Sequence, residues 1–146
     1  MATAGNPTMR EREPRPGKKY FTLEEARRSL LLVKRIALDM QAVQALRITL
    51  HEQMTARLHQ TPRELELLET RFTQATERLE GLIGELGQIG VELKDASLAL
   101  LDFPAFFQGR EILLCWRGGE ETITHWHELN AGYAGRKPVE LLTKNS

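Results

Sequence analysis

Between Thr61 and Gly90 the apolar positions recur at alternating steps of three and four: Leu65, Leu68, Phe72, Ala75, Leu79, Leu82, Leu86 and Ile89. That spacing keeps them on one face of a helix. The preceding segment carries a matching stripe of Val33, Ile36, Met40, Val43, Arg47, Leu50 and Met54. Each stripe follows a start signal. Thr22-Leu23-Glu24-Glu25 and Thr61-Pro62-Arg63-Glu64 both offer a hydroxyl to an orphan backbone N–H and a glutamate that reaches back three residues. Pro62 suits the first helical position, where its missing N–H costs nothing. The pattern predicts one helix from Leu23 to about His59 and a second from Pro62 to Ile89, stopped by Gly90. The turn between them is short enough to force an antiparallel coiled-coil hairpin. One register pairs all layers, from Met54 against Leu68 to Val33 against Ile89. The single polar member, Arg47, then meets the small Ala75, which leaves room for its guanidinium to turn outward.

That register leaves the start of the first helix uncovered. Leu23, Ala26, Leu30, Leu31 and Leu32 lie there, and Leu30 to Val33 are consecutive apolar residues, more than one face can use. Something else must pack on this end. Gly81, Gly84, Gly87 and Gly90 recur every three residues, which suggests close approach of another backbone. The period changes after Gly90. Leu98 to Phe107, interrupted by Pro104, reads as an edge strand or extended loop. Gln108-Gly109 reads as a turn, Glu111 to Trp116 as a strand, Arg117 to Glu121 as a hairpin turn and Thr122 to Glu128 as the return strand. Asn130 to Gly135 is a glycine-rich loop, and Val139 to Leu142 a short terminal helix or strand. The expected fold class is α+β. A tail over 1–19, rich in proline and charge, precedes a helical hairpin over 20–90. A small antiparallel β module over 91–146 then packs on the hairpin end.

Composition narrows this picture. The chain has 146 residues with 20 basic and 20 acidic side chains, so its zero net charge hides any asymmetry. Residues 1–60 hold 11 basic against 6 acidic side chains, and residues 61–100 hold 4 against 8. A basic first helix beside an acidic second one favours their mutual packing over a basic face for nucleic acid or a membrane. The polar N-terminus lacks an export pattern and no apolar run is long enough to span a bilayer, so a cytoplasmic location is expected. A single cysteine, Cys115, excludes an internal disulfide and any zinc site that needs two cysteines from one chain.

Candidate chemistry concentrates in the β module. His125-Trp126-His127 places two imidazoles on one strand face, a spacing that can share zinc or another divalent metal, with Glu111 or Asp102 as a third ligand. The alternative is a pair of hydrogen-bonded histidines beside an aromatic core. Cys115 lies between Leu114 and Trp116 with nothing to lower its pKa, so it reads as a small packing residue before it reads as a nucleophile. His51 and His59 read as solvated surface residues at the far end of the hairpin. Gly132-Tyr133-Ala134-Gly135-Arg136 could offer amides and a guanidinium to an anion, although it matches no phosphate-loop fingerprint. Asp102, Arg110, Glu111, Glu128 and Arg136 could equally form a structural salt-bridge network.

Several stretches together resemble a known family. They are Tyr20-Phe21-Thr22-Leu23-Glu24-Glu25-Ala26, Val91-Glu92-Leu93-Lys94-Asp95, Asp102-Phe103-Pro104, Gly109-Arg110-Glu111, Leu114-Cys115-Trp116-Arg117, and Trp126 through Arg136. The chain resembles an uncharacterised bacterial family, domain of unknown function 2203, over about residues 20–138. The resemblance implies the fold, a bacterial cytoplasmic origin and no established activity. Automatic names suggesting division initiation attach to some members. It also marks Asp102, Arg110, Glu111, Trp116, His127, Glu128, Gly135 and Arg136 as matched positions, the candidate ligand-binding set. The leading functional expectation is an interaction module that forms a homodimer through leftover apolar surface on the first helix, at Leu32, Leu46 and Ile48. The rivals are a ligand-binding or hydrolytic site around His127, Glu128, Glu111 and Arg136, and a division-associated coiled coil.

Overall fold

The computed structural model describes residues 14–56 and 61–143. Two long helices, α1 (Leu23–Thr55) and α2 (Pro62–Ile89), precede a sheet of β1 (Glu92–Asp95), β2 (Leu100–Phe107), β3 (Arg110–Arg117), β4 (His125–Glu128) and β5 (Lys137–Pro138). A single 3-10 turn, Tyr133–Gly135, lies before β5, and a short helix α3 (Glu140–Thr143) follows it. The fold is α+β, as the hydrophobic pattern predicts.

Both helix starts form as full capping boxes. Thr22 Oγ1 accepts from the Glu25 amide at 3.0 Å while Glu25 accepts from the Thr22 amide at 3.1 Å. Thr61 and Glu64 repeat the exchange at 3.1 and 3.0 Å. Gly90 closes α2 in the left-handed region at φ 101°. A side chain there would also meet Lys19 Cβ at 2.7 Å. α1 stops at Thr55; the rest of its expected run falls on residues 57–60, including His59, which lie outside the described residues. His51 is exposed, as read from the sequence.

The helices pack antiparallel. Arg47 Nε donates to Thr76 Oγ1 at 2.9 Å, and the His51 ring lies 6.3 Å from Phe72. The Arg47 guanidinium also covers the Phe72 ring at 5.1 Å, so the one polar residue of the stripe stays half-buried against an aromatic face. Val33, Ile36, Met40, Val43 and Leu50 of α1 are buried with Ala75, Leu79, Leu82 and Leu86 of α2.

The sheet is a meander in the order β1-β2-β3-β4-β5. β2 is therefore an interior strand and not the edge that Pro104 suggested. The proline is tolerated because β1 pairs only with Leu100 to Asp102. Beyond that point the Pro104 carbonyl accepts from the Phe21 amide at 2.7 Å. N and C=O of one strand residue point the same way, so the missing N–H also faces away from β3 and no ladder bond is lost. Gln108 and Gly109 form the tight β2–β3 turn with φ of 51° and 74°. The return strand begins at His125, later than the expected Thr122. Its approach is diverted: the Ile123 carbonyl accepts from Arg27 Nε and Nη2 at 3.1 and 2.8 Å, and the Thr124 carbonyl from the Val139 amide at 3.0 Å.

One sheet face packs on the hairpin. Leu101, Phe103, Ala105, Ile112, Leu114, Trp116 and Trp126 join the helix side chains in one buried cluster. Phe21 meets Phe103 edge-on at 5.4 Å. Three polar side chains of α1, seven residues apart, hold backbone carbonyls of the module: Arg27 on Ile123, Lys34 on Glu121, and Gln41 on Ser97 at 3.1 Å.

Two expectations about this interface need correction. A Cβ on Gly81, Gly84 or Gly87 would meet nothing within 4 Å, so the glycine run is not a close-packing surface. Ala26, Leu30 and Val33 are covered by the module, whereas Leu31 and Leu32 remain 83% and 54% exposed.

Candidate functional site

Strand alternation sends Asp102, Pro104, Glu111, Leu113, Cys115, His125 and His127 to the face opposite the helices. Most of that face is buried too: Asp102, Glu111, Cys115 and His127 are each no more than 3% exposed. Its cover comes from both flanks of the sequence. Residues 14–19, expected to belong to a tail, reach Glu111 together with Tyr20. Arg15 Nη2 lies 2.6 Å and Lys18 Nζ 2.8 Å from Glu111 Oε2, while the Tyr20 hydroxyl donates to Oε1 at 2.8 Å. Tyr20 also stacks edge-on against Phe106 at 4.7 Å. Residues 1–13 lie outside the described residues. On the other side Arg136 pairs with Glu120 at 3.0 and 2.8 Å and lies over the Tyr133 ring at 4.7 Å.

Between these covers lies a compact polar cluster of Asp102, Cys115 and His127. The cross-strand register makes Asp102 and Cys115 direct partners and sets His127 opposite Leu113, one step along the same face. One ligand-type atom from each residue falls within 4.8 Å of the others. His127 Nε2 is 3.0 Å from Asp102 Oδ1, and its Nδ1 is 2.7 Å from the Glu128 carbonyl. The carbonyl can only accept, so Nδ1 carries a proton and donates. Nε2 and Oδ1 then meet as two acceptors unless a cation lies between them. In the metal-free pair that cation is a proton, on the imidazole or on the carboxyl. Burial pulls the His127 pKa down, but the hydrogen bonds to Asp102 and to the Glu128 carbonyl outweigh it, and the net shift is upward.

Cys115 has the opposite character to an activated nucleophile. Burial, reinforced by the adjacent Asp102 carboxylate, pushes its thiol up to about 12, against a smaller downward pull from Arg136. Both His127 nitrogens are engaged, so no free imidazole faces the sulfur. The cluster is not a ready-made cysteine–histidine hydrolase.

The residues anticipated from sequence separate into distinct roles. Asp102 and His127 are joined. Arg110 and Glu128 form a two-pronged ion pair at 2.9 and 2.7 Å that holds the Glu128 carboxyl below its usual range. Glu111 anchors the N-terminal segment. Trp116 lies in the core on the opposite face, with Nε1 donating to the Glu120 carbonyl at 2.9 Å. Arg136 binds Glu120, which sequence reasoning passed over. His125 is not among the three residues whose ligand-type atoms converge, and its Nδ1 contacts Thr124 Oγ1 at 2.8 Å. Cys115 takes the place expected for it, because cross-strand register sets Cys115 beside Asp102.

A second feature lies on α1, diametrically opposite its buried face. Leu31, Leu38, Ala42 and Ala45 recur at helical spacing there, flanked by Leu32 and Leu46. Leu38 is 66% and Leu46 42% exposed. Ile48, 45% exposed, lies to the other side of this stripe. No helix among the described residues is long and apolar enough to cross a membrane.

Comparison with curated proteins and with solved structures returned no match. A family of uncharacterized conserved proteins, DUF2203, matches residues 19–139, which takes in both helices, all five strands and the buried cluster. By that extent of match the chain belongs to the DUF2203 family.

Proposed function

We propose that the protein is a self-associating interaction module in which α1 packs against α1 of a second copy. The observation that carries this reading is the second apolar stripe, with Leu31 83% exposed on a helix whose other face is already used. Large aliphatic side chains at helical spacing are costly to leave in water, at about 1.5–3 kcal/mol each when fully buried instead. An antiparallel pairing suits the charges. The first half of α1 carries Arg27, Arg28, Lys34 and Arg35 against Glu24 and Glu25, and the second half carries Asp39 and Glu52 against Arg47. Head-to-tail alignment sets the basic half over the acidic one, and two hairpins then form a four-helix core with the β modules at its ends. The setting proposed is the cytoplasm, where the free thiol of Cys115 is compatible with reducing conditions.

Sedimentation equilibrium on the full chain tests the idea. The wild type should be a dimer, and Leu31→Glu/Leu38→Glu should be a monomer with unchanged helical circular dichroism. A wild type that stays monomeric at the highest concentration reached would sink the proposal.

A further inference from the structure

We infer that Asp102 Oδ1, Cys115 Sγ and His127 Nε2 form a binding site for a divalent transition metal, with zinc the best chemical match. The inference is independent of self-association. Three features of the cluster carry it. The donors converge: the atoms lie within 4.8 Å of one another, and Nε2 and Oδ1 are already 3.0 Å apart. Donors around a tetrahedral zinc are about 3.5 Å apart, so no separation needs to close by more than about 1.3 Å, and the Nε2–Oδ1 pair opens by about 0.5 Å. The orientation of His127 is also set. Its Nδ1–H is donated to the Glu128 carbonyl, the outer contact that leaves Nε2 as the coordinating atom. Finally, the three donor residues are withdrawn from solvent together, each no more than 3% exposed, as the ligands of a retained metal are.

Charge and ligand type select the metal. One thiolate and one carboxylate neutralise a divalent ion, and the imidazole adds none. A sulfur, a nitrogen and an oxygen donor suit zinc, or cobalt in its place, and disfavour magnesium and calcium. Arg136 stands near Cys115, but its charge is taken up by both carboxylate oxygens of Glu120. Three protein ligands leave a fourth position for water or a small ligand. Binding displaces the thiol proton and the proton held between His127 and Asp102, and both pass to solvent.

The test uses untagged full-length protein. Its zinc content is measured by mass spectrometry after purification without chelator. The metal is then removed and Co(II) is added. The expected result is near-stoichiometric zinc, and on adding Co(II) a thiolate-to-cobalt charge-transfer band in the near ultraviolet. Cys115→Ala should abolish the band while the protein stays folded by circular dichroism. Asp102→Asn should weaken cobalt affinity at least tenfold, and His125→Ala should leave both metal content and band unchanged. A folded wild type that holds no zinc and gives no cobalt band overturns the inference. So does a band that survives Cys115→Ala, or metal lost only when His125 is replaced.

Discussion

At Cys115 the sulfur has no exposure, and in the metal-free protein burial with Asp102 beside it pushes the thiol up to about 12. Alkylating reagents should therefore leave the folded protein unmodified and label it stoichiometrically in denaturant. Rapid native labelling, followed by intact mass, would show that the covers over this face open easily. Glu25 gives a pH-dependent counterpart. The Thr22 amide, then the Thr22 hydroxyl and Lys19, hold its carboxyl below the usual value of 4.5. A depressed folded-state pKa contributes stability above the unfolded value and loses it as pH falls through the folded one. The carboxyl-carbon titration of Glu25 should thus have its midpoint below that of an unfolded-chain glutamate. A midpoint at or above the unfolded value would mean the capping box is open. At Glu111 the buried carboxylate is met by two cations. Arg15→Met/Lys18→Met keeps the apolar cover but strands the charge, at a cost of roughly 3 kcal/mol. Adding Glu111→Gln should recover part of the loss in urea denaturation, because the stranded charge is then gone.

Among the elements, α2 carries three glycines whose added methyl would meet nothing. Gly84→Ala should stabilise by about 1 kcal/mol and raise Tm by roughly 2–4 °C, through helix propensity and a more restricted unfolded chain. Gly90→Ala should do the reverse, since φ 101° and the contact with Lys19 both oppose a side chain. Scanning calorimetry of the pair decides it; a destabilised Gly84→Ala would place an unseen partner on that face. The helices were legible in the sequence because caps and stripe are local and redundant: Thr22, Thr61 and Gly90 each mark a boundary by their own chemistry. The strands were less so. β1 (Glu92–Asp95) is short and polar and forms by pairing with Leu100 to Asp102. β2 looked like an edge because Pro104 cannot donate, yet the chain returns Phe21 to its carbonyl from eighty residues away in the sequence. The spacing of His125 and His127 was readable, and Asp102 was one of two carboxylates in view, but the choice between them and the place of Cys115 were not. Which side chain stands beside His127 depends on register across three strands, and that is a tertiary property.

For the whole molecule, the hairpin and the sheet share one buried core. α1 contributes to the helical core, and through Arg27, Lys34 and Gln41 it also holds the loops of the sheet. A fragment of residues 91–146 should therefore lack native structure by circular dichroism, while the full chain unfolds in one transition seen alike by helical and tryptophan signals. Separate transitions would show that the sheet stands alone. Adding the outer stripe of α1 gives this one helix three contact surfaces: α2, the sheet, and the proposed second copy.

The contact between Arg15 and Glu111 spans 96 positions. During synthesis this segment emerges before β3, so its binding site does not exist until β3 has been made and paired. The helices can nucleate locally, whereas this contact needs β3 already paired, and it is expected to form after the main barrier. Arg15→Met/Lys18→Met should thus speed unfolding and leave the refolding rate nearly unchanged. The segment would then act as a latch on a structure already formed, setting how long the native state lasts more than how quickly it is reached.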